Sequence, residues 1–388
     1  MKYVRTHETR DKFLADKDST SRGFRLAPTL YKYSDDTEDE DNRDHIYLEL
    51  DDPRKHEGST YMEIALNSDV EFSFYIGNKS GDTQTTMTCT IDWGDDTIET
   101  KTITKDTYGF KLAHNYTAGS YKIELYDVER DYSVVGNVAN GKSLISHPSS
   151  VKRVVLGEGV VSITSTTFFS CTSPTSIFIP EGVTSIGDWA FWRCYSLTSI
   201  NIPRSVTTIA NGMLDNCPSL TSIYIPEGVT IIGSSAFAYC TSLKSIYLPK
   251  GVTTIYNRVF YNCTSLKSIY LPKGVNSIRA NMFGYCTSLK SIDIPEKVTS
   301  IGDSAFFNCT SLKSIDIPEK VTSIGDSAFQ DCSSLSSISS FNPTTPTLGG
   351  NIFLNLPTNG TLHIKPGATG YDAWLSKLPE GWRIVEDL

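Results

Sequence analysis

The sequence predicts a mainly β protein that is, for most of its length, a solenoid of about nine coils of 23 residues each. Eight of the nine cysteines recur every 23 residues between Cys171 and Cys332, and other apolar residues keep the same register. From Tyr61 to Val138 the pattern changes to short alternating segments separated by turns, which indicates antiparallel strands. These observations divide the chain into an N-terminal attachment segment (1–60), a β-sandwich (61–140), the solenoid (141–340) and a C-terminal cap (341–388).

Each predicted coil combines a short strand, a return segment and a tight corner. One unit reads SLKSIDIPEKVTSIGDSAFFNCT, in which Leu-x-Ser-Ile-x-Ile alternates as a strand does and proline ends it by removing a backbone donor. A lone coil would bury about seven apolar side chains at roughly 1.5–3 kcal/mol each, whereas ordering its backbone costs on the order of 1–2 kcal/mol per residue. The coils are therefore expected to fold only as a stacked array. Two of the repeated columns are Leu197, Leu220, Leu243, Leu266, Leu289, Leu312 and Leu335, and Phe191, Phe237, Phe260, Phe283, Phe306 and Phe329.

Both ends of the array depart from the unit. The first coil is degenerate, with Gly157 where proline is expected, and the pattern decays after Ile338. The residues that follow supply apolar side chains for a cap, namely Trp374, Leu375, Leu378, Trp382 and Ile384.

The repeated unit, L-x-x-I-x-I-P-x-x-V-x-x-I-x-x-x-A-F-x-x-C, resembles the BspA-like class of leucine-rich repeats over roughly Val151 to Trp382. The resemblance implies a solenoid without shared catalytic residues. It also implies a surface or secreted protein of a bacterium, protist or phage, often an adhesive one.

The cysteine column has three interpretations. Stacked coils would bring neighbouring cysteines close enough for disulfides. A metal site would need clustered ligands, and no histidine flanks the column. Buried thiols that act as small apolar groups at a tight corner are the favoured interpretation, so no metal and no cofactor is expected.

Six strands are predicted between residues 61 and 140, and six short strands in so few residues are typical of a β-sandwich. They are MEIAL, VEFSFYI, TMTCTIDW, TIETKTI, YGFKLAHNY and SYKIELYDV. The segments IDWGDD (91–96), HNY (114–116) and GSYKI (119–123) resemble polycystic-kidney-disease (PKD) repeats, whose pattern is roughly D-W-G-D-G, H-x-Y and G-x-Y-x-V. The resemblance implies an Ig-like spacer or interaction module, although Asp96 stands where the family has its second glycine. His114 is expected to be a hydrogen-bonding residue at a strand end, and the nearby aspartates are expected to form a solvated turn in preference to a Ca²⁺ site.

The first 60 residues begin with MKYVRTHET, which resembles the start of virion structural and fibre proteins of tailed phages from gut bacteria. Neither a signal peptide nor an apolar stretch long enough for a membrane span is visible. The resemblance implies a segment that attaches the protein to other virion or surface proteins.

Charge and motifs argue against two classes of function. The net charge is −9, of which the decapeptide Asp35–Asp44 contributes −6, and an acidic chain is a poor nucleic-acid binder. The six histidines are scattered, and no G-x-S-x-G, H-E-x-x-H or phosphate-binding glycine loop occurs. We therefore expect neither an enzyme nor a nucleic-acid-binding protein.

Outward positions on the predicted strands suggest a binding surface. Tyr224, Tyr247 and Tyr270 would form an aromatic platform rimmed by Lys244 and Lys267, which suits stacking on sugar rings or contact with a protein. Phe178 occupies the same column. The alternative is that copied repeats inherit identical surface residues and that a tyrosine ladder stabilises neighbouring strands.

Together these features predict a phage virion surface protein, of fibre or decoration type, that displays a solenoid for adhesion to a host surface protein or glycan. A bacterial cell-surface or secreted BspA-like adhesin is the alternative. A purely decorative solenoid and a homo-oligomer are both left open.

Overall fold

The computed structural model describes residues 60–78, 83–105, 109–126, 128, 132–135 and 145–387. The attachment segment that the sequence predicts at 1–60 therefore lies outside the described residues, except for Thr60. The described part is mainly β, with one 3₁₀ turn at Pro148–Ser150 and one short helix, α1 (Asp372–Leu375). No helix in that part is long and apolar enough to cross a membrane.

The sandwich region contains seven strands in two layers. They are β1 (Thr60–Leu66), β2 (Val70–Asn78), β3 (Thr86–Asp92), β4 (Ile98–Thr104), β5 (Phe110–Tyr116), β6 (Gly119–Tyr126) and β7 (Tyr132–Val135). The first six match the six predicted strands, whereas β7 was not predicted. One layer has the order β4-β3-β6-β1 and the other β5-β2-β7, with Phe72, Trp93 and Phe110 fully buried between them. The PKD-like, Ig-like assignment stays a prediction.

The two sandwich sheets continue into the solenoid. The first solenoid strand, β8 (Val151–Val155), pairs antiparallel with β1, and β9 (Val160–Ile163) pairs parallel with β7. The backbone N–H of Gly157 also donates to the Thr60 hydroxyl at 2.8 Å. One apolar core therefore runs through the boundary predicted at residue 140, and the sandwich closes the N-terminal end of the coil stack.

The coils stack through parallel pairing of residues 23 positions apart, such as Ile177 with Ile200 and Ile232 with Ile255. The solenoid has about ten turns, against about nine predicted, because the last two strands extend its sheet beyond the final clear repeat. The strands are β10 (Ser176–Phe178), β11 (Ser185–Ile186), β12 (Ser199–Ile200), β13 (Thr208–Ile209), β14 (Ile231–Ile232), β15 (Thr254–Ile255), β16 (Ser300–Ile301), β17 (Ser314–Ile317), β18 (Ser323–Ile324), β19 (Ser337–Ser340), β20 (Thr347–Leu348), β21 (Thr361–Ile364) and β22 (Arg383–Glu386).

The strand side of the middle coils is less regular than the sequence predicts. The strand segments that begin at Leu220, Leu243 and Leu266, namely LTSIYI, LKSIYL and LKSIYL, form no continuous ladder. Each keeps a backbone hydrogen bond to the preceding coil at its second position, as from Lys267 N to Lys244 O at 3.3 Å. The coil-to-coil register is therefore the same as in the outer coils.

Phenylalanine rings stack along the solenoid interior. Ring centroids of Phe260 lie 5.8 Å from Phe237 and 5.6 Å from Phe283, with nearly parallel planes. This arrangement repeats through the later coils and confirms that the array shares one continuous core. At the C-terminal end Phe353 packs on Trp374 at 5.7 Å, and Trp382 Nε1 donates to Pro357 O at 2.8 Å.

The cysteine column is buried, as predicted, and all nine cysteines are free in the structure. The Cys263 thiol donates to the Phe237 carbonyl of the preceding coil at 3.2 Å, and the other thiols from Cys194 onward make the corresponding bond. Burial raises the pKa of Cys286 to about 12. Each thiol thus satisfies a backbone acceptor at a corner that water does not reach.

Candidate functional site

The strand face is the outward side of the coil strands, which carries one side chain per coil between the buried isoleucine and the buried residue before proline. Its column consists of Phe178, Asn201, Tyr224, Tyr247, Tyr270, Asp293 and Asp316. Pairing of Phe178 with Val155, of Tyr270 with Asp293 and of Asp316 with Ser339 shows that the column keeps its register along the stack.

The structure brings most of the predicted site residues together. Tyr224, Tyr247 and Tyr270 occupy three successive coils and are half-buried, whereas Lys244 and Lys267 are exposed beside them. Backbone bonds from Lys244 N to Thr221 O and from Lys267 N to Lys244 O place the two lysines one coil apart. The tyrosines and the lysines therefore occupy neighbouring outward positions of the same strands.

Phe178 is separate from this group. Asn201 lies between it and Tyr224, and the Asn201 amide turns back onto the neighbouring coil. Its Oδ1 accepts from Ile179 N at 3.0 Å and its Nδ2 donates to Ile179 O at 2.6 Å. Phe178 and the tyrosines share a column but form no continuous platform.

A second aromatic surface, which the sequence interpretation missed, lies at the coil corner that precedes each buried cysteine. The corner ladder consists of Tyr239, Tyr261, Tyr285 and Phe307, one ring from each of four successive coils. Consecutive centroids are 5.5, 5.3 and 5.1 Å apart, with planes inclined by 70°, 71° and 58°. The Arg258 guanidinium lies 4.1 Å from the Tyr261 ring centroid. Tyr239 is 37% exposed, so the ladder meets solvent.

The ladder alternates between two adjacent positions of the repeat. Tyr261 and Phe307 directly follow the buried phenylalanine, where the other two coils of the ladder have Ala238 and Gly284. A Cβ at Gly284 would lie 3.1 Å from the Tyr261 ring, so the small residue makes room for it. In those coils the ring is supplied by the next residue, Tyr239 or Tyr285.

Tyr239 and Tyr285 adopt left-handed backbone angles, with φ of 58° and 62°. A bulky residue is disfavoured there, and asparagine is the residue best suited to it after glycine. The corresponding residues of other coils are mostly small and polar, including Asn216, Asn262 and Asn308. The two tyrosines therefore strain the backbone to complete the row of rings.

Asp215 interrupts the aromatic residues at this corner. Desolvation by burial raises the pKa of its carboxyl to about 6, against the opposing effect of the Arg258 and Arg193 charges. The carboxyl therefore titrates in the weakly acidic range.

The conspicuous polar residues of the sandwich have structural roles. His114 Nε2 lies 2.8 Å from Asp95 Oδ2 and its ring stacks on Trp93, with centroids 5.0 Å apart. Asp92 Oδ1 accepts from Gly94 N at 2.8 Å, and Asp96 has a left-handed backbone angle, φ 68°. Within the described ranges no three His, Cys, Asp or Glu side chains are placed to hold a metal ion.

Comparison with known proteins identifies the repeats. The model of the BspA type leucine rich repeat region matches residues 142–267 and 253–367, in six copies and over more than half of the chain. No curated protein is significantly similar.

Solved structures with the same kind of repeat include a T. pallidum leucine-rich repeat protein, 32% identical, over 41% of this chain and 77% of that one, with a TM-score of 0.40. A leucine rich cell surface protein from Faecalibacterium prausnitzii is 28% identical over 54% of this chain and 60% of its own length, with a TM-score of 0.36. A leucine-rich repeat protein from Bacteroides ovatus is 21% identical over 79% of this chain and 100% of its own, with a TM-score of 0.35.

The 23-residue period, the stacked coils with one buried core and the match to the family model lead to one assignment: the chain belongs to the BspA-type leucine-rich-repeat family.

Proposed function

We propose that the protein is a non-enzymatic adhesin of the bacterial cell surface, whose solenoid presents the strand face to a host surface protein or glycan. Membership of the BspA-type family supports this proposal, because the family implies surface or secreted proteins that are often adhesive. The observation that carries it is the group of Tyr224, Tyr247 and Tyr270 on successive coils beside exposed Lys244 and Lys267.

The chemistry of this surface suits binding. Tyrosine rings are enriched where proteins contact other molecules, and the half-buried rings of Tyr247 and Tyr270 offer such contact area, whereas the hydroxyl of Tyr224 is buried. Successive coils repeat the same group about 4.8 Å apart, so a ligand that is itself repetitive can contact several coils at once. The scaffold needs no catalytic residue for this role.

The phage virion interpretation rests on residues 1–60, which lie outside the described residues, and none of the relatives above is described as a phage protein. It stays a prediction, as do attachment through that segment and homo-oligomerisation. Antibody labelling of intact producing cells tests the surface location directly, and labelling only after lysis would contradict it.

Binding is tested with the full chain on an array of immobilised host glycans and extracellular-matrix proteins. The triple variant Y224S/Y247S/Y270S should lose the binding that the parent chain shows and keep its melting temperature within a few degrees. The control is Y195S/Y256S, which removes two tyrosines that are 41% and 43% exposed elsewhere on the solenoid and should leave binding unchanged. Unaltered binding in the triple variant would move the site to the sandwich loops or the cap and overturn the assignment.

A further inference from the structure

The strand face carries a row of four lysines. Lys244, Lys267, Lys290 and Lys313 occupy the same position in four successive coils, and all four are exposed. Backbone bonds from Lys267 N to Lys244 O at 3.3 Å, from Lys290 N to Lys267 O at 3.1 Å and from Lys313 N to Lys290 O at 3.4 Å place neighbours one coil apart. We call these residues the lysine row.

Like charges on directly adjacent strands repel each other. In the lysine row each ammonium has a like-charged neighbour in the next coil, about 4.8 Å away at the backbone. No ion pair between described residues involves any of the four. The row is therefore a line of positive charge outside the ion pairs of the described residues, on a chain whose net charge is −9. Only its last two members, Lys290 and Lys313, have exposed acids nearby on the strand, Asp293 and Asp316.

Aromatic side chains run parallel to this row. Tyr224, Tyr247 and Tyr270 lie three residues further along their strands than Thr221, Lys244 and Lys267. Lys250 and Lys273 follow on the far side, directly after the prolines of the same coils. The coils of Tyr247 and Tyr270 thus have lysines on both sides of the ring. The neighbouring coils have acidic residues instead, with Glu227 after the proline of the preceding coil and Asp293 at the tyrosine position of the following coil.

We infer that the strand face binds a linear acidic polysaccharide, a polymer of uronates or sulfated sugars, that lies along the solenoid axis. This inference rests on the proposed function and specifies its ligand. The carboxylate or sulfate groups contact the lysine row, and the sugar rings contact the tyrosines. Such a polymer repeats a negative charge and an apolar ring face at regular intervals, which is the complement of the two parallel columns.

Other polyanions match the surface less well. An extended acidic peptide supplies the charge but no ring face for the tyrosines. Single-stranded nucleic acid supplies both, but its bases bind by stacking face to face on aromatic rings, and the rings of Tyr224, Tyr247 and Tyr270 are half-buried. Both serve as competing probes in the test.

The experiment titrates the full chain with polygalacturonate, heparin, neutral dextran, poly(dT) and poly-glutamate at low and at physiological salt. The acidic polysaccharides should bind, dextran should not, and the affinity should fall at least about tenfold between the two salt concentrations, because bound counterions are released.

A matched pair of variants locates the site. K267Q/K290Q removes two central charges of the lysine row and should weaken binding at least about tenfold while reducing its salt dependence. K297Q/K320Q removes two exposed lysines that directly follow Glu296 and Glu319, changes the net charge equally and should bind as the parent chain does.

The outcomes separate this inference from the proposed function. If acidic polysaccharides fail to bind while Y224S/Y247S/Y270S still loses array binding, the ligand is a protein or a neutral glycan and only this inference is wrong. Tighter binding of poly(dT) or poly-glutamate than of either polysaccharide would also overturn it. Equal losses in the two lysine variants would show an effect of net charge alone, without a site.

Discussion

The backbone of Tyr61 in β1 pairs with that of Val155 in β8, so an edge strand of the sandwich is also the neighbour of the first solenoid strand. On the other side Val155 pairs with Phe178 of the next coil. Hydrogen bonding therefore passes without interruption from the antiparallel sandwich to the parallel coils, and the first coil has no open edge on this side.

This junction predicts that sandwich and solenoid unfold together. Val154 is buried between Met62 and Ile177, so V154D would place an unpaired carboxylate in the shared core and cost roughly 3–5 kcal/mol. Hydrogen exchange should show lost protection in both β1 and β10. The control is I98S at an outer strand, where the side chain is 61% exposed and the effect should stay within about 0.5 kcal/mol. Protection lost on only one side of the junction would mean two independent folding units.

The buried thiols predict chemical inertness. All nine are buried, and burial raises the pKa of eight of them, among them Cys286, so the nucleophilic thiolate is scarce at pH 8. A thiol-specific reagent should label none of them in the native chain and all nine in denaturant. T198C, at an exposed position of the solenoid, should add one fast-reacting thiol. Rapid labelling of the unmodified native chain would show that the corners open to solvent.

The Asp215 carboxyl predicts a pH dependence of stability. Its pKa is raised to about 6 in the folded chain from a usual value near 4, chiefly by desolvation, so the folded state binds the proton more tightly than the unfolded state. This preference for the protonated carboxyl therefore contributes fully to the free energy of unfolding below pH 4. The contribution is lost as the pH rises through about 6. Allowing for solvent screening of a partly exposed group, D215N should stabilise the chain at pH 7 by about 1 kcal/mol.

The measurement for Asp215 compares denaturant unfolding of the parent chain and D215N at pH 4 and pH 7. D215N should have a higher free energy of unfolding than the parent chain at pH 7 and the same free energy of unfolding at pH 4. An equal difference at both pH values would show that packing, and not titration, sets the effect.

The corner ladder predicts different costs for two tyrosines. Y261N removes a ring with neighbours on both sides and a guanidinium over its face, and should cost about 1–2 kcal/mol. Y285N also removes two ring contacts, but it releases left-handed strain of about 1 kcal/mol, so its net effect should be near zero. Chemical denaturation of the two variants measures the difference, and equal costs would show that the backbone strain is negligible.

The repeat columns were predictable because one residue type recurs at one fixed interval, as the phenylalanines and cysteines do. The corner ladder was missed because no single column contains a run of aromatics. Tyr239 and Tyr285 are two coils apart, and so are Tyr261 and Phe307, so a comparison at twice the repeat length would have found them. The strain at Tyr239 and Tyr285 is a matter of backbone angle, and a sequence does not display it.

Strand pairing across the junction could not be read from local patterns. The six predicted strands follow from alternation within each segment, whereas β7 has only four residues and charged neighbours that conceal it. Pairing of β1 with β8 joins residues about 90 positions apart, and hydrophobic periodicity indicates a strand but not its partner. The PKD resemblance implies a spacer, and it does not predict that the sandwich sheets continue into the solenoid.

The near-identity of the coils that end at Cys309 and Cys332 has a genetic consequence. Direct repeats of this kind invite unequal recombination, which adds or deletes whole coils. Because each coil contacts only its two neighbours, an added coil is accommodated without redesign of either end. Each event would lengthen or shorten the solenoid by about 4.8 Å. Recombination can thereby change the length of the solenoid in steps of one coil.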